Sequence, residues 1–484
     1  MHKSILKRFG AAVLALFLTA CGESVRPQPA PQTSSRPAES QAQEPAEPAT
    51  LTVYLEALYT QEGVHYPLYE ALKEYDEAHP EIELEFVSPV GGASDPAKRE
   101  EEIHQLNTEI ITGGGPDVFI MGTFRYTDSN LFPDVAKAMG NHAFLPLNAY
   151  AQAAGFQRDD YIQPALEAGQ LEGEQYILPL SVSVPLFVGG KDAVEKSGFD
   201  AEAAAANQTA FFDELSRALN ESGAQVLYTL SLTNLLQQPL IDYAAGQVYL
   251  DTEPVRQALE TEKAFATSQL NFFDSYDPAQ IEAMAAGTPL GAVEMSNGAL
   301  SILRPFAAQG AEAFVQAVPN EDGGVTAQIS SYAMASANTA CPEEAAALLY
   351  YLMSAECQDA AAYPSATEEL PVRVASLGNA LQNFHQFIVY DASKETVSED
   401  DIAFRESAFG ADLSEDMGLA LQDICEKVSA AHFHSIWEHA LQLGQSETGD
   451  DLLTEAMNEY LYGGKPLDQL IEELTPRLQM YLDE

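Results

Sequence analysis

Basic residues are scarce in this 484-residue chain: 23 Lys and Arg stand against 73 Asp and Glu, a formal net charge of −50. A field of that sign repels phosphate backbones and presents no polybasic patch to anionic lipid, so nucleic-acid binding and electrostatic membrane docking are excluded as roles. Cysteine is scarce too. Cys21, Cys341, Cys357 and Cys425 are too few for a disulfide framework or a Cys-rich zinc site. Cys341 and Cys357 flank a helix-like stretch; a continuous helix at about 1.5 Å per residue holds them roughly 24 Å apart, beyond bridging. Tryptophan occurs once, as Trp437.

Catalytic and phosphate-binding motifs are also missing. No GxSxG, HExxH, CxxC or GxxxxGK[ST] is present. Gly189-Gly190-Lys191 continues with Asp192, which lacks the hydroxyl that would meet magnesium. Gly113-Gly114-Gly115 precedes a strand-like run and so lacks the helix N-terminus that holds a phosphate. His432 and His439 share a helical face but His434 does not, so no metal site is expected. With so many carboxylates, none stands out as a catalytic acid–base pair. No catalytic residue, metal or cofactor is assigned.

What is present begins with an address. Lys3, Lys7 and Arg8 precede an apolar run from Phe9 to Leu18, too short for a confident membrane span. The run ends in Leu18-Thr19-Ala20-Cys21, which resembles a bacterial lipobox; the resemblance implies cleavage before Cys21 and lipidation of its thiol. A cleaved chain would carry 23 − 3 = 20 basic and 73 acidic residues, or −53. Residues 22–50 are dominated by Pro, Ala, Gln, Ser and Glu and read as a disordered tether.

From Leu51 the pattern is regular. LTVYLEA alternates as a strand, residues 64–78 read as a helix with Leu68, Leu72 and Tyr75 on one face, and IELEFV (82–87) is a second strand. Residues 96–112 form a second helix, and 117–121 a buried strand. This order predicts an α/β fold with a largely parallel sheet. A hairpin is expected at Gly173, mostly helix over 192–285, a strand over 328–336, a helix after Pro342, an irregular acidic insertion over 391–418, and a C-terminal amphipathic helix through Leu467, Leu470, Ile471, Leu474 and Leu478 that Pro476 kinks. Length sets the prior at two or three domains.

Five segments, in order, resemble the extracellular solute-binding proteins of bacterial ABC importers, in particular the family that includes maltose- and other sugar-binding proteins. They are ITGGGPDVFIMG (111–122), GEQYILPLSVSVPLFVGGKDAVEKSGF (173–199), AMAAGTPLGAVEMSNGAL (283–300), EEAAALLYYLMSAECQDAAA (343–362) and ELPVRVASL (369–377). The resemblance implies a two-lobed, type II periplasmic-binding-protein-like fold with a hinge and an interlobe cleft. Residues 51–182 with 319–362 would make lobe 1, and 183–318 with 363–484 lobe 2. The implied function is capture of a small solute, with a carbohydrate as first expectation and another small polar cargo as alternative. Delivery would be to permease subunits, from a monomer lipid-anchored outside the cytoplasm. A surface glycoside-active enzyme and a ligand sensor are rivals from other classes.

The resemblance places ligand contacts at Tyr59, Met121, Arg125, Ser183, Asn297 and Tyr332, and Trp437 is a further stacking candidate. Tyr59, Met121, Tyr332 and Trp437 could equally pack a core, and Arg125 could be a surface ion pair. Ala299 and Leu300 stand where sugar-binding relatives often carry Trp, and Met121 replaces a frequent aromatic, which argues against stacking on a long oligosaccharide.

Overall fold

The computed structural model describes residues 48–55, 64–65, 67–89, 95–122, 131–132, 134–243, 245–266, 278–362, 364, 369–382, 388–389, 413–433 and 451–483. The expected signal, Cys21, almost all of the tether, Tyr59, Arg125, His434, Trp437 and His439 lie outside them. Residues from Glu47 onward belong to one compact unit. Among the described residues no helix is long and apolar enough to cross a membrane.

Among the described residues eleven strands build two principal sheets: β1 (Ala49–Leu55), β2 (Ile82–Val87), β3 (Val118–Gly122), β4 (Leu178–Ser183), β5 (Pro185–Gly190), β6 (Val226–Tyr228), β7 (Gly291–Met295), β8 (Ala313–Ala317), β9 (Val325–Ala335), β10 (Leu370–Pro371) and β11 (Val428–Phe433). The larger sheet has the order β10-β4-β9-β3-β1-β2, with β11 also paired to β9. Its β2-β1-β3 portion is parallel, as the strand–helix–strand pattern predicted, whereas β9 runs antiparallel to both β3 and β4. The smaller sheet has the order β8-β5-β7-β6. Together they give the two-lobed α/β fold that was expected.

Local chemistry sets the element ends. The helix Pro96–Ile111 starts where Asp95 accepts from Lys98 N at 3.2 Å and Pro96 takes the first turn. The first helix begins at Pro67 and not at residue 64, because proline suits a first turn but cannot donate within one. Val64–His65 instead pairs with Ile388–Val389. The hairpin at 170–175 turns through Glu172 and Gly173, both at positive φ. The helix after Pro342 stops at Leu352, and Ser354 caps a separate turn at Cys357 N; Cys341, Cys357 and Cys425 are free thiols. The region expected to be mostly helical contains β6, three residues too short to show alternation between flanking helices. Within the acidic segment, Ser414 caps a helix Glu415–Cys425, with Glu415 and Asp416 in its favourable first turn. The last helix, Leu467–Asp483, runs through Pro476.

Val184 alone connects β4 of the larger sheet to β5 of the smaller, and residues 318–324 connect β8 back to β9. The segment 363–484 divides between the sheets. Strands β10 and β11 join the larger one, while the helices Asp451–Leu461 and Leu467–Asp483 bury Tyr460, Leu470 and Leu474 in the smaller sheet's core. Strand β9 is long enough for this: its first half pairs with β11 and its second with β3.

Candidate functional site

The two crossings made by described residues, at Val184 and at 318–324, are pinned by hydrogen bonds. At the first, Ser296 N donates to Val184 O at 2.7 Å and Val184 N donates to Ser296 Oγ at 3.2 Å. The helix Ser296–Ala308 therefore begins directly against the chain's passage between sheets. At the second, Asn320 is fully buried and folds the turn about itself. Its Oδ1 accepts from Gly324 N at 3.0 Å, and its Nδ2 donates to Thr326 Oγ1 at 3.1 Å and Ser429 Oγ at 3.0 Å. Glu321 then accepts from Gln237 N through both carboxylate oxygens at 3.1 Å. In sheets of this kind ligands settle where strands end and the chain changes partner, so these crossings frame the candidate cleft.

A row of hydroxyls lies beside the first crossing, in strands that are mostly apolar. Ser183 Oγ is 2.9 Å from Ser330 Oγ. Ser181 Oγ lies in short hydrogen-bond contact with Ser331 Oγ and donates to Glu369, just before β10. All five side chains are at least nine-tenths buried, where unpaired polar groups would be costly. Met121 and Tyr332 are cross-strand partners on β3 and β9. Met121 is buried in the larger core, and Tyr332 packs edge-on against Phe433 at 5.0 Å. The structure thus brings Ser183, Met121 and Tyr332 into one sheet. Asn297 lies instead on the first turn of the helix Ser296–Ala308, where its Oδ1 accepts from Gly298 N at 2.9 Å.

One carboxyl near that helix turn was not singled out from sequence. Glu294, at the end of β7, keeps Oε2 shielded from solvent with no hydrogen-bond partner, and burial raises its pKa to about 7. It fits because residue 298 is glycine: a Cβ there would fall 1.9 Å from Glu294 Oε1. Ser183 was singled out from sequence, but the serines at 181, 330 and 331, Asn320 and Glu369 were missed. The available signal was hydroxyl residues interrupting apolar strands, a pattern that calls for buried partners. His432 hydrogen-bonds Leu236 O through Nε2 at 2.9 Å, and burial lowers its pKa. Among the described residues no cluster of His, Cys, Asp and Glu could hold a metal.

The Pro-Asp signature proves to be a staple at the opposite end of the larger sheet. Asp117 accepts from Thr52 N at 3.0 Å and from Thr339 Oγ1 at 2.7 Å, and its backbone oxygen takes Ser336 N at 2.8 Å. Asp117→Ala is expected to cost about 2–3 kcal/mol, since Thr52 N loses its charged acceptor. Urea midpoints of the two proteins check this; equal midpoints would remove the staple reading.

Residues 60–359, more than half of the chain, match the family model described as bacterial extracellular solute-binding protein. No curated protein sequence matches. Among solved structures, the sugar-binding protein MalE from Xanthomonas citri superposes with a TM-score of 0.60 at 14% identity, covering 90% of this chain and 98% of that one. The galacto-N-biose-/lacto-N-biose I-binding protein of a Bifidobacterium longum ABC transporter, in complex with lacto-N-biose, gives 0.54 at 14%, covering 91% and 98%. The GacH receptor of Streptomyces glaucescens, solved without ligand and with acarbose, gives 0.54 at 15%, covering 90% and 99%.

Proposed function

Because this chain belongs to the bacterial extracellular solute-binding protein family, we propose that it captures a small carbohydrate between its lobes and delivers it to the permease of an ABC importer. The observation that carries the choice of cargo is that structural neighbours covering about nine-tenths of the chain are described as binding sugars. The protein acts by binding, not by catalysis. Ligand closes the two lobes about the crossings, and its higher affinity for the closed form shifts the population. Lobe 1 carries the larger sheet and lobe 2 the smaller. Ser183, Asn297 and Tyr332 contribute polar groups, with Tyr59, Met121, Arg125 and Trp437 completing the contacts. Cys21 carries a lipid that tethers the body outside the cytoplasm, through residues 22–50.

The test is a thermal-shift screen of residues 22–484 against mono- and oligosaccharides, amino acids, peptides and polyamines. A sugar at about 100 times its dissociation constant is expected to stabilise the fold by about 2.7 kcal/mol and to be recovered unchanged. A shift with another class alone would overturn the carbohydrate assignment and leave the family intact. Consumption of the sugar would overturn the non-enzymatic reading. For the anchor, palmitate labelling of the whole chain in a bacterial host is expected to disappear in Cys21→Ser; retained label would sink it.

A further inference from the structure

The short helix Val135–Gly140 belongs to the lobe of the larger sheet, where Val135 and Met139 are buried in the main core. Its N-cap, Asp134, accepts from Lys137 N at 3.0 Å and is 8% exposed. The other Asp134 oxygen accepts from the phenol of Tyr243 in a short hydrogen bond. Tyr243 packs against the smaller sheet's core, as does Tyr481 on the last helix. One turn on from Asp134, Lys137 Nζ donates to Tyr481 O at 2.8 Å and lies 4.6 Å over the Tyr481 ring. Two neighbouring residues of one lobe therefore hold two residues of the other that are 238 positions apart in sequence.

We propose that Asp134 and Lys137, gripping Tyr243 and Tyr481, form a latch that holds the two lobes together before any ligand arrives. None of the four residues lies on a crossing: the chain changes sheets at Val184, at 318–324 and again between Phe433 and Asp451. These contacts consequently form or break when the lobes rotate about the crossings, while the bonds at Val184 and Asn320 persist. The groups suit a switchable contact. A buried carboxylate without its phenol donor is left under-bonded, so the latched arrangement is favoured as a unit. The lysine adds a charge-assisted bond and a cation–π contact on the same side. Functionally, a latch that populates the closed form in advance raises apparent affinity by the same factor, since ligand no longer has to select a rare conformer.

The experiment needs no ligand. Spin labels go on Glu100→Cys in the larger-sheet lobe and Asn220→Cys in the smaller-sheet lobe, both exposed, in a chain whose Cys21 and Cys341 are replaced by Ser. Dipolar spectroscopy then measures the interlobe distance. Tyr243→Phe combined with Lys137→Met is expected to move the population towards longer distances, changing the ratio of latched to unlatched forms about tenfold. Lys137→Met alone, which keeps the Asp134–Tyr243 bond, is expected to give a smaller shift in the same direction and carries the test if the double variant does not fold. An unchanged or shorter distance in a cooperatively folded variant overturns the proposal.

Discussion

Replacing Glu262 by Gln is expected to stabilise the protein at pH 8 by about 3 kcal/mol and to change little at pH 5. Glu262 is fully buried. Its Oε2 accepts from Leu232 N at 3.0 Å, but Oε1 has no partner, nor does the nearby Tyr228 hydroxyl. Burial raises its pKa from 4.5 to about 8, because an ionised carboxyl so far from water is not compensated by a cation. The sign follows from proton counting. Between those two values the folded protein holds a proton that the unfolded chain has released, so stability falls as pH rises. Below about pH 4.5 both states are protonated and the group contributes nothing; by about pH 8 the full cost is present. A Gln carbonyl keeps the bond to Leu232 N, and its amide carries no charge. Water reaching the site reduces the cost, hence a figure below the full shift multiplied by about 1.4 kcal/mol per pH unit. Urea midpoints at pH 5 and pH 8 for both proteins measure it. Glu294 and His432 titrate equally in both and cancel. An equal gain at the two pH values would show that the effect is packing and not ionisation.

Glu262 was illegible in the sequence for a general reason. In a chain with 73 acidic residues, a buried carboxylate looks like any other; only tertiary placement distinguishes it. Ser183 apart, the serines beside the first crossing were hidden in the same way, since Ser181 and Ser331 meet across 150 positions. What could be read was local. The alternation in β1, the amphipathic face of Leu68, Leu72 and Tyr75, and the start at Pro342 all depend on residues within one turn or strand. The ordered segments resembling the solute-binding family were legible because they mark places where the backbone has few choices. Asp117 is one such place: its carboxylate ties β1 to the turn after β9, so the Pro-Asp signature reports architecture and not ligand. Element boundaries went astray where a cap outweighed periodicity, as at Pro67, Ser354 and Ser414.

The glycines of the smaller sheet give the second large expectation: Gly291→Ala should cost about 3 kcal/mol, whereas Gly378→Ala should be neutral or mildly stabilising. Neither position has a left-handed backbone, so conformational freedom is not the issue; space is. A Cβ on Gly291 would fall 2.3 Å from Val188 O and 2.6 Å from Phe187 Cε2. The carbonyl belongs to the adjoining strand and cannot turn away without breaking the β5–β7 ladder. The ring is equally fixed, wedged edge-on among Phe199, Phe211 and Phe314 at 5.2, 6.1 and 5.6 Å. Gly189, its register partner, is under the same constraint, with Leu290 O 2.5 Å from a Cβ. At Gly378, within the helix Leu377–Gln382, a Cβ meets nothing within 4 Å, and alanine favours the helix. The consequence extends beyond stability. Strand β7 delivers Ser296 to its bonds with Val184, so pushing β7 from β5 loosens the first crossing. Gly291→Ala should therefore weaken ligand capture as well as lower the urea midpoint, and Gly378→Ala should do neither. Equal midpoints for the two variants would mean that the smaller sheet yields where close packing says it cannot.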